Sequence, residues 1–447
     1  MKRSPPRTLT ADDQTRLRKN ETVNVTPSLE AQATSAEVLA AFTARSWRSN
    51  AKRQIDKGIE FVIGRRDGIY LWNLEGTTRV IDCGTAGGVH SLGHRHPEVL
   101  AALTGALAGG RDTGLWSMPN AEYLRLQDRL TQLAPHEGLS RSVITLSSTA
   151  SIDVATMFAF RFTQRRKILA YRHGYHGHSG FAVLATGSTE EGVVDYYNLP
   201  PEYSAFFDTY DDLAEIERRL TPDIGALIVE PMNYETFELA GKDYFEGLSA
   251  LCKQRGVLFI VDETRTGLGR SGRLWASEHY DIEPAMMISG KGLSGGLYPV
   301  SALLTREDIY DKCMNEHAFA YISSLGGNEI SCIVASKVLE VASRPGFLKN
   351  VRDTSDILQR EFAAVCRKYH NLVSLGACHG GLFTIKINDK ALAAKIYKAV
   401  YDQGVLCHSV SVIEPVVLKF LPPLTLDDDG AREIAGALDR ALEALKV

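Results

Sequence analysis

The chain has 447 residues, 44% of them hydrophobic and 23% charged, with a formal net charge of −4. That length exceeds what one hydrophobic core serves, about 250–300 residues, so two or more packed units are expected. The slight acidic balance argues against an electrostatic nucleic-acid binder. No apolar run approaches the ~20 residues of a membrane span, and no apolar leader follows the start, so a cytoplasmic protein with no membrane partner is expected.

Seven cysteines stand singly at 83, 252, 313, 332, 366, 378 and 407, without C-x-x-C spacing. Neither a disulfide framework nor a thiolate metal site is indicated.

In chain order, residues 1–34 read as a mobile basic arm, with six Lys/Arg against two Asp in the first 20. Residues 35–55 have helical spacing, and "GIYLWNLEGTTRVIDC" (68–83) reads as a hairpin turning at Glu75–Gly76. Residues 35–90 are expected to join a small C-terminal unit, 335–447, in which "GGLFTIKI" (380–387) is a strand among amphipathic helices. Between them, 91–334 alternates helices with short apolar strands at 141–146, 167–171, 224–230, 257–263, 285–289 and 299–304. Strands apolar on both faces and separated by helices predict an α/β fold, a mostly parallel sheet covered on both sides.

In such sheets ligands sit beyond the carboxyl ends of the strands. Those ends carry "SSTASID" (147–153), "RHGYHGHSG" (172–180), "PMNYE" (231–235), Asp262 and Glu263, and "GKGLSGG" (290–296). A buried strand ending in two acids needs a cation or hydrogen-bond donors to meet them. The set suits an aromatic phosphate that forms an imine. Ser147, Ser148 and Thr149 open a helix where phosphate binds, though a plain Ser/Thr cap reads the same way. Lys291 between glycines is a candidate imine-forming amine, with an exposed loop lysine as the bland alternative. Gly290, Gly292 and Gly295 also satisfy G-x-G-x-x-G, the signal for a nicotinamide oxidoreductase. His173, His176 and His178 lack carboxylate or cysteine partners at ligand spacing, so no metal is expected.

"YLWNLEGTTRVIDCGTAGGVHSLGHRHPEV", "YRHGYHG", "LIVEP", "FIVDETRTGLGRSG", "MMISGKGLSGGLYPVSALL", "SSLGGN" and "LPPL" occur in order along residues 45–447. Together they resemble the class III, ornithine/acetylornithine-type, pyridoxal-phosphate aminotransferases, which include glutamate-1-semialdehyde aminomutase. The resemblance implies a fold-type-I homodimer with shared active sites, pyridoxal 5'-phosphate as cofactor, and an amine or amino-acid donor with an oxo acceptor. By position, Lys291 resembles the lysine of the internal aldimine and Asp262 the acid paired with the pyridine nitrogen. Ser148 and Thr149 match the phosphate loop, with Ser148 where the family has Gly. Ser324 stands where a partner-subunit Thr reaches the phosphate. Tyr175 matches the ring-stacking aromatic, followed by His176, while Glu230, Thr264 and Arg265 join the cofactor contacts. Aminomutase, racemase and decarboxylase share these motifs and stay open.

The departures concern substrate. Arg265 replaces the usual Gln, "CHGGL" puts Cys378 where Arg is common, and Lys419 in "LKFLPPL" replaces the carboxylate-binding Arg. Lysine cannot form a two-pronged carboxylate clamp. A Glu235–Lys419 pair is expected, and Trp116 and Met118 fall where the family lines its substrate pocket.

Overall fold

The computed structural model describes residues 33–45, 49–114, 118–187, 193–317, 320–411 and 414–445. The expected basic arm, apart from its last two residues, lies outside the described residues, as does Trp116. The strands are β1 (Ile63–Asp67), β2 (Tyr70–Asn73), β3 (Arg79–Cys83), β4 (Arg141–Thr145), β5 (Lys167–Tyr171), β6 (Ser204–Phe207), β7 (Ile224–Val229), β8 (Leu258–Asp262), β9 (Met286–Ser289), β10 (Ser301–Thr305), β11 (Val373–His379), β12 (Leu382–Ile387), β13 (Val405–Cys407), β14 (Ser409–Val410) and β15 (Val417–Phe420).

The largest sheet has the order β4-β10-β9-β8-β7-β5-β6, with β10 antiparallel to both neighbours and the other pairs parallel. Every residue of β7 and β8 is buried, because the pleat sends alternate side chains into two different cores. Ala226, Ile228 and Ile260 pack with Ile152, Ala155 and Phe158 of the helix Ser148–Thr163. Leu227, Val229, Phe259 and Val261 pack with Phe245, Leu248 and Cys252 of the helix Lys242–Arg255. Covered on both faces, the sheet offers only its strand ends to a ligand.

Two smaller sheets complete the chain, β1-β2-β3-β13 and β11-β12-β15-β14. The β2–β3 hairpin is closed onto the C-terminal part by β13, which runs parallel to β3. Ile69, Ile81 and Cys83 share one apolar cluster with Leu358, Phe362, Ile396, Phe420 and Leu438. The boundary read between residues 334 and 335 falls inside the continuous helix Glu329–Ala342. That helix buries Val334, Val338 and Leu339 in the same cluster as Met287 and Ala302 of the large sheet.

Arg270 joins these parts. Its buried guanidinium donates to the carbonyls of Gly381 and Pro422 and to Ser91 Oγ. Burial lowers it to about 9. The β11–β12 turn, Gly380-Gly381, lies on this loop: Gly380 has φ +57°, and a Cβ there would stand 2.4 Å from Gly272 N and 2.6 Å from Arg270 O. Gly380→Ala is therefore expected to cost about 2–4 kcal/mol, strain plus a backbone clash, read as an earlier thermal or denaturant transition.

Candidate active site

The site forms where β4, β5, β8 and β9 end. Lys291 begins a short 3-10 turn (Lys291–Ser294) directly after β9, with φ +43°, a left-handed conformation that costs a non-glycine residue about 1–3 kcal/mol. Its ammonium lies 5.9 Å from the Tyr175 ring centroid. A cavity of about 490 Å3 is lined by Ser148, Thr149, Tyr175, His176, Asp262, Thr264 and Lys291, together with residues 294 and 296–300.

The two acids that end β8 do different work. Asp262 faces the cavity: its Oδ2 lies 2.7 Å from His176 Nδ1, and its Oδ1 accepts the Thr264 N–H at 3.0 Å. Burial pushes this carboxyl up, but the bond and charge of His176 outweigh it and hold Asp262 below the usual range. The same pairing overcomes the burial of His176 and raises its imidazole. The pair is thus a carboxylate held toward its ionised form against a histidine held toward its charged form. Glu263 points away and accepts from Ser277 N and Oγ, both 2.6 Å, from Ala276 N at 3.1 Å, and from Thr266 Oγ1. It ties down the loop after the strand and takes no part in the cavity.

Lys291 is enclosed, and burial followed by the charge of Arg265 lowers its amine to about 7. Arg265 is itself buried, its Nε 4.0 Å from Glu230 Oε1 and its guanidinium 4.5 Å from the Tyr234 ring centroid. Glu230 accepts the Tyr175 N–H at 3.3 Å; burial raises its carboxyl against the opposing charge of Arg265. Lys419 Nζ donates to Glu235 Oε2 at 2.8 Å and to the Tyr234 carbonyl at 3.1 Å, so the expected pair is formed. Burial lowers Lys419, with Glu235 opposing. His408, absent from the sequence reading, lies 3.4 Å from Arg265 through Nε2. Burial and the cations Arg265, Lys419 and Lys291 push it well down, so it is neutral.

Of the described candidate residues, six are not among those lining this cavity: Glu230, Glu235, Arg265 and Lys419, which are paired beside it, and Ser324 and Met118, which are exposed, Met118 at 64%. The dinucleotide reading of G-x-G-x-x-G fails for a structural reason. The glycines close a four-residue 3-10 turn that leads into β10, so no long helix presents its N-terminus there. His173, His176 and His178 diverge, to Tyr171, Asp262 and Tyr175 respectively.

The helix start suits a phosphate. Ser147 caps the 16-residue helix through Ala150 N. Glycines make room around it: a Cβ at Gly290 would stand 2.1 Å from Ser148 Oγ, and one at Gly177 2.5 Å from Thr149 Oγ1. Thr264 Oγ1 and His176 Nε2 are buried without a hydrogen-bond partner. A cradle for an anion, a flat slot by Tyr175 and an ionised acid opposite an amine fit pyridoxal phosphate.

The model of the family described as aminotransferase class-III matches residues 51–442. The chain belongs to the class III aminotransferases. An uncharacterised aminotransferase of Archaeoglobus fulgidus is 35% identical over 91% of this chain and 95% of its own length. The acetylornithine aminotransferase of Rhodobacter capsulatus is 28% identical over 86% and 95%. Among solved structures, the ornithine aminotransferase of Toxoplasma gondii shares the fold, with a TM-score of 0.81 over 93% of this chain and 96% of that one, at 22% identity. This class III aminotransferase is therefore a pyridoxal-phosphate-dependent transaminase of the fold-type-I α/β architecture. Among the described residues, no helix is long and apolar enough to cross a membrane, and no cluster of three metal-ligating side chains occurs.

Glu263→Ala would strand four donors inside the loop after β8. A loss of about 3 kcal/mol or more is expected in denaturant unfolding, at roughly 1–3 kcal/mol for each unsatisfied group.

Proposed function

We propose that this chain moves an amino group between an amine or amino acid and an oxo acceptor with Lys291 as the reacting amine and Asp262 as the partner of the cofactor's ring nitrogen. The observation that carries the reading is their meeting in one cavity, a lowered amine across from an ionised carboxylate. When bound, pyridoxal phosphate supplies a carbonyl that takes up the substrate nitrogen and a protonated ring that accepts electrons from the substrate Cα.

The residues of the chain do the rest. Asp262, kept ionised by His176, holds a proton on the ring nitrogen. Ser148, Thr149 and the helix start hold the phosphate. Tyr175 covers one ring face, and Thr264 packs from the other side. Glu230 and Arg265 set the charge near the ring's oxygen side. Lys291, lowered to about 7 and so partly uncharged near neutral pH, would take the proton from the substrate Cα and return it one atom away. Lys419, with Glu235, would contact the substrate.

Ser324 completes the phosphate site of a second copy in a homodimer, a role supported by its exposure outside this chain's own cavity. Reduced thiols at all seven cysteines suit a cytoplasmic setting.

Lys291→Ala is expected to abolish turnover and the visible absorption band of the loaded protein while leaving far-UV dichroism intact; a retained band would contradict the assignment. In the apoprotein, the rate at which Lys291 combines with added pyridoxal phosphate should rise with pH through a midpoint of about 7, because the lowered amine is charged only below it. A midpoint near the ordinary lysine value of ~10.4 would contradict it. Lys419→Ala should raise KM for a carboxylate-bearing donor or acceptor; unchanged KM for every substrate would remove Lys419 from the substrate site.

A further inference from the structure

His408 stands between β13 and β14, and its backbone N–H donates to the Lys419 carbonyl at 2.9 Å. Its imidazole is held at two points. One ring nitrogen hydrogen-bonds the backbone of Gly84, and Nε2 lies 3.4 Å from Arg265 Nη1. Among the described residues no hydrogen bond or ring contact joins His408 to Lys291, and a neutral ring carries no charge to act on the amine. Any effect of His408 on the reaction therefore passes through Arg265.

Arg265 needs such a contact. Its guanidinium is buried, and among the described residues its one hydrogen bond is to His408. Its Nε is buried with no hydrogen-bond partner, and Glu230 Oε1 stands off at 4.0 Å. The Tyr234 and Phe237 ring centroids lie 4.5 and 5.9 Å from the guanidinium carbon. Aromatic faces attract a cation, but they do not fix the direction of its N–H groups as an acceptor does.

The kind of acceptor matters. A carboxylate in the place of His408 would grip Arg265 and cancel its charge. A neutral imidazole holds the cation and leaves the charge whole. Burial and the cations Arg265, Lys419 and Lys291 keep the ring neutral. The bond to Gly84 favours the protonated ring, as a bond donated to a backbone carbonyl does. With its single proton committed there, the imidazole turns a lone pair on Nε2 to Arg265.

That charge has a use. Of the groups acting on Lys291, Glu230 and Asp262 hold its proton on and Arg265 drives it off. The remaining charged neighbours are paired, His176 with Asp262 and Lys419 with Glu235.

We propose that His408 is a positioning residue for transamination: its neutral imidazole, anchored on Gly84, accepts a hydrogen bond from Arg265 and fixes the guanidinium where its full charge acts on Lys291. The proposal rests on Lys291 as the reacting amine.

Two measurements test it. The first is nitrogen NMR of the full-length apoprotein with isotopically labelled histidine, the His408 signals being assigned by their loss in His408→Gln. From about pH 6 to 9, where an ordinary histidine loses its charge, His408 should keep one protonated nitrogen and an unprotonated Nε2. A protonated Nε2 anywhere in that range leaves Arg265 without an acceptor and overturns the proposal.

The second is the pH dependence of the rate at which the apoprotein combines with added pyridoxal phosphate, whose expected midpoint in the native chain is about 7. His408→Phe, which has no acceptor, should raise that midpoint by about one pH unit, the scale on which a nearby charge moves a titration. His408→Gln, which returns an uncharged oxygen, should restore it. In an Arg265→Gln background, His408→Phe should add no further shift, because the two residues act as one unit. A folded His408→Phe with the native midpoint, or a shift that persists without Arg265, overturns the proposal. Should His408→Phe not fold, the NMR result on the native chain decides. A native apoprotein that does not combine with the cofactor through Lys291 contradicts the transaminase reading instead, and the NMR result still decides the contact with Arg265.

Discussion

The contact on which the rest depends is the ion pair between Asp262 and His176, buried at the carboxyl end of β8. Left alone, an acid in that position would take up a proton, since burial disfavours its charge. His176 at 2.7 Å and the Thr264 amide favour its ionised form. On the reading proposed here, a fixed negative charge inside the sheet's end would let a protonated heterocycle bind there and stay protonated. The fold serves this end: two fully covered strands deliver the acid and the amine, and the glycines around Ser148 and Thr149 open space for the phosphate.

Opposite charge is handled with equal economy on the other side. Three cations or potential cations, Lys291, Arg265 and Lys419, crowd around the neutral His408. Glu230 and Glu235 compensate Arg265 and Lys419, and Lys291 is left to lose its proton. Arg265 in place of an amide side chain thus adds to burial in lowering the Lys291 amine to about 7.

Much of this was legible in the sequence because buried strands of a parallel sheet are short apolar runs, and their ends sit beside quotable loops. Asp262, Lys291, Tyr175 and the Ser-Ser-Thr loop came from that logic and converge in the structure. Other features left no such trace. β6 is a four-residue strand at the sheet's edge, and β15 hides a buried lysine inside an otherwise apolar run. His408 lies between β13 and β14 without a motif, and Arg270 reads as one more arginine until its three buried acceptors are seen. The resemblance singled out Asp262, and the alternation of the strand, which turns adjacent side chains to opposite faces, gives the physical reason Glu263 does different work.

The most direct measurement is the nitrogen NMR shift of the ring nitrogen in isotopically labelled cofactor bound to the protein at mildly alkaline pH. The account predicts a protonated nitrogen in the native chain and an unprotonated one in Asp262→Asn. An unprotonated nitrogen in the native protein, or no change on replacing Asp262, would contradict it.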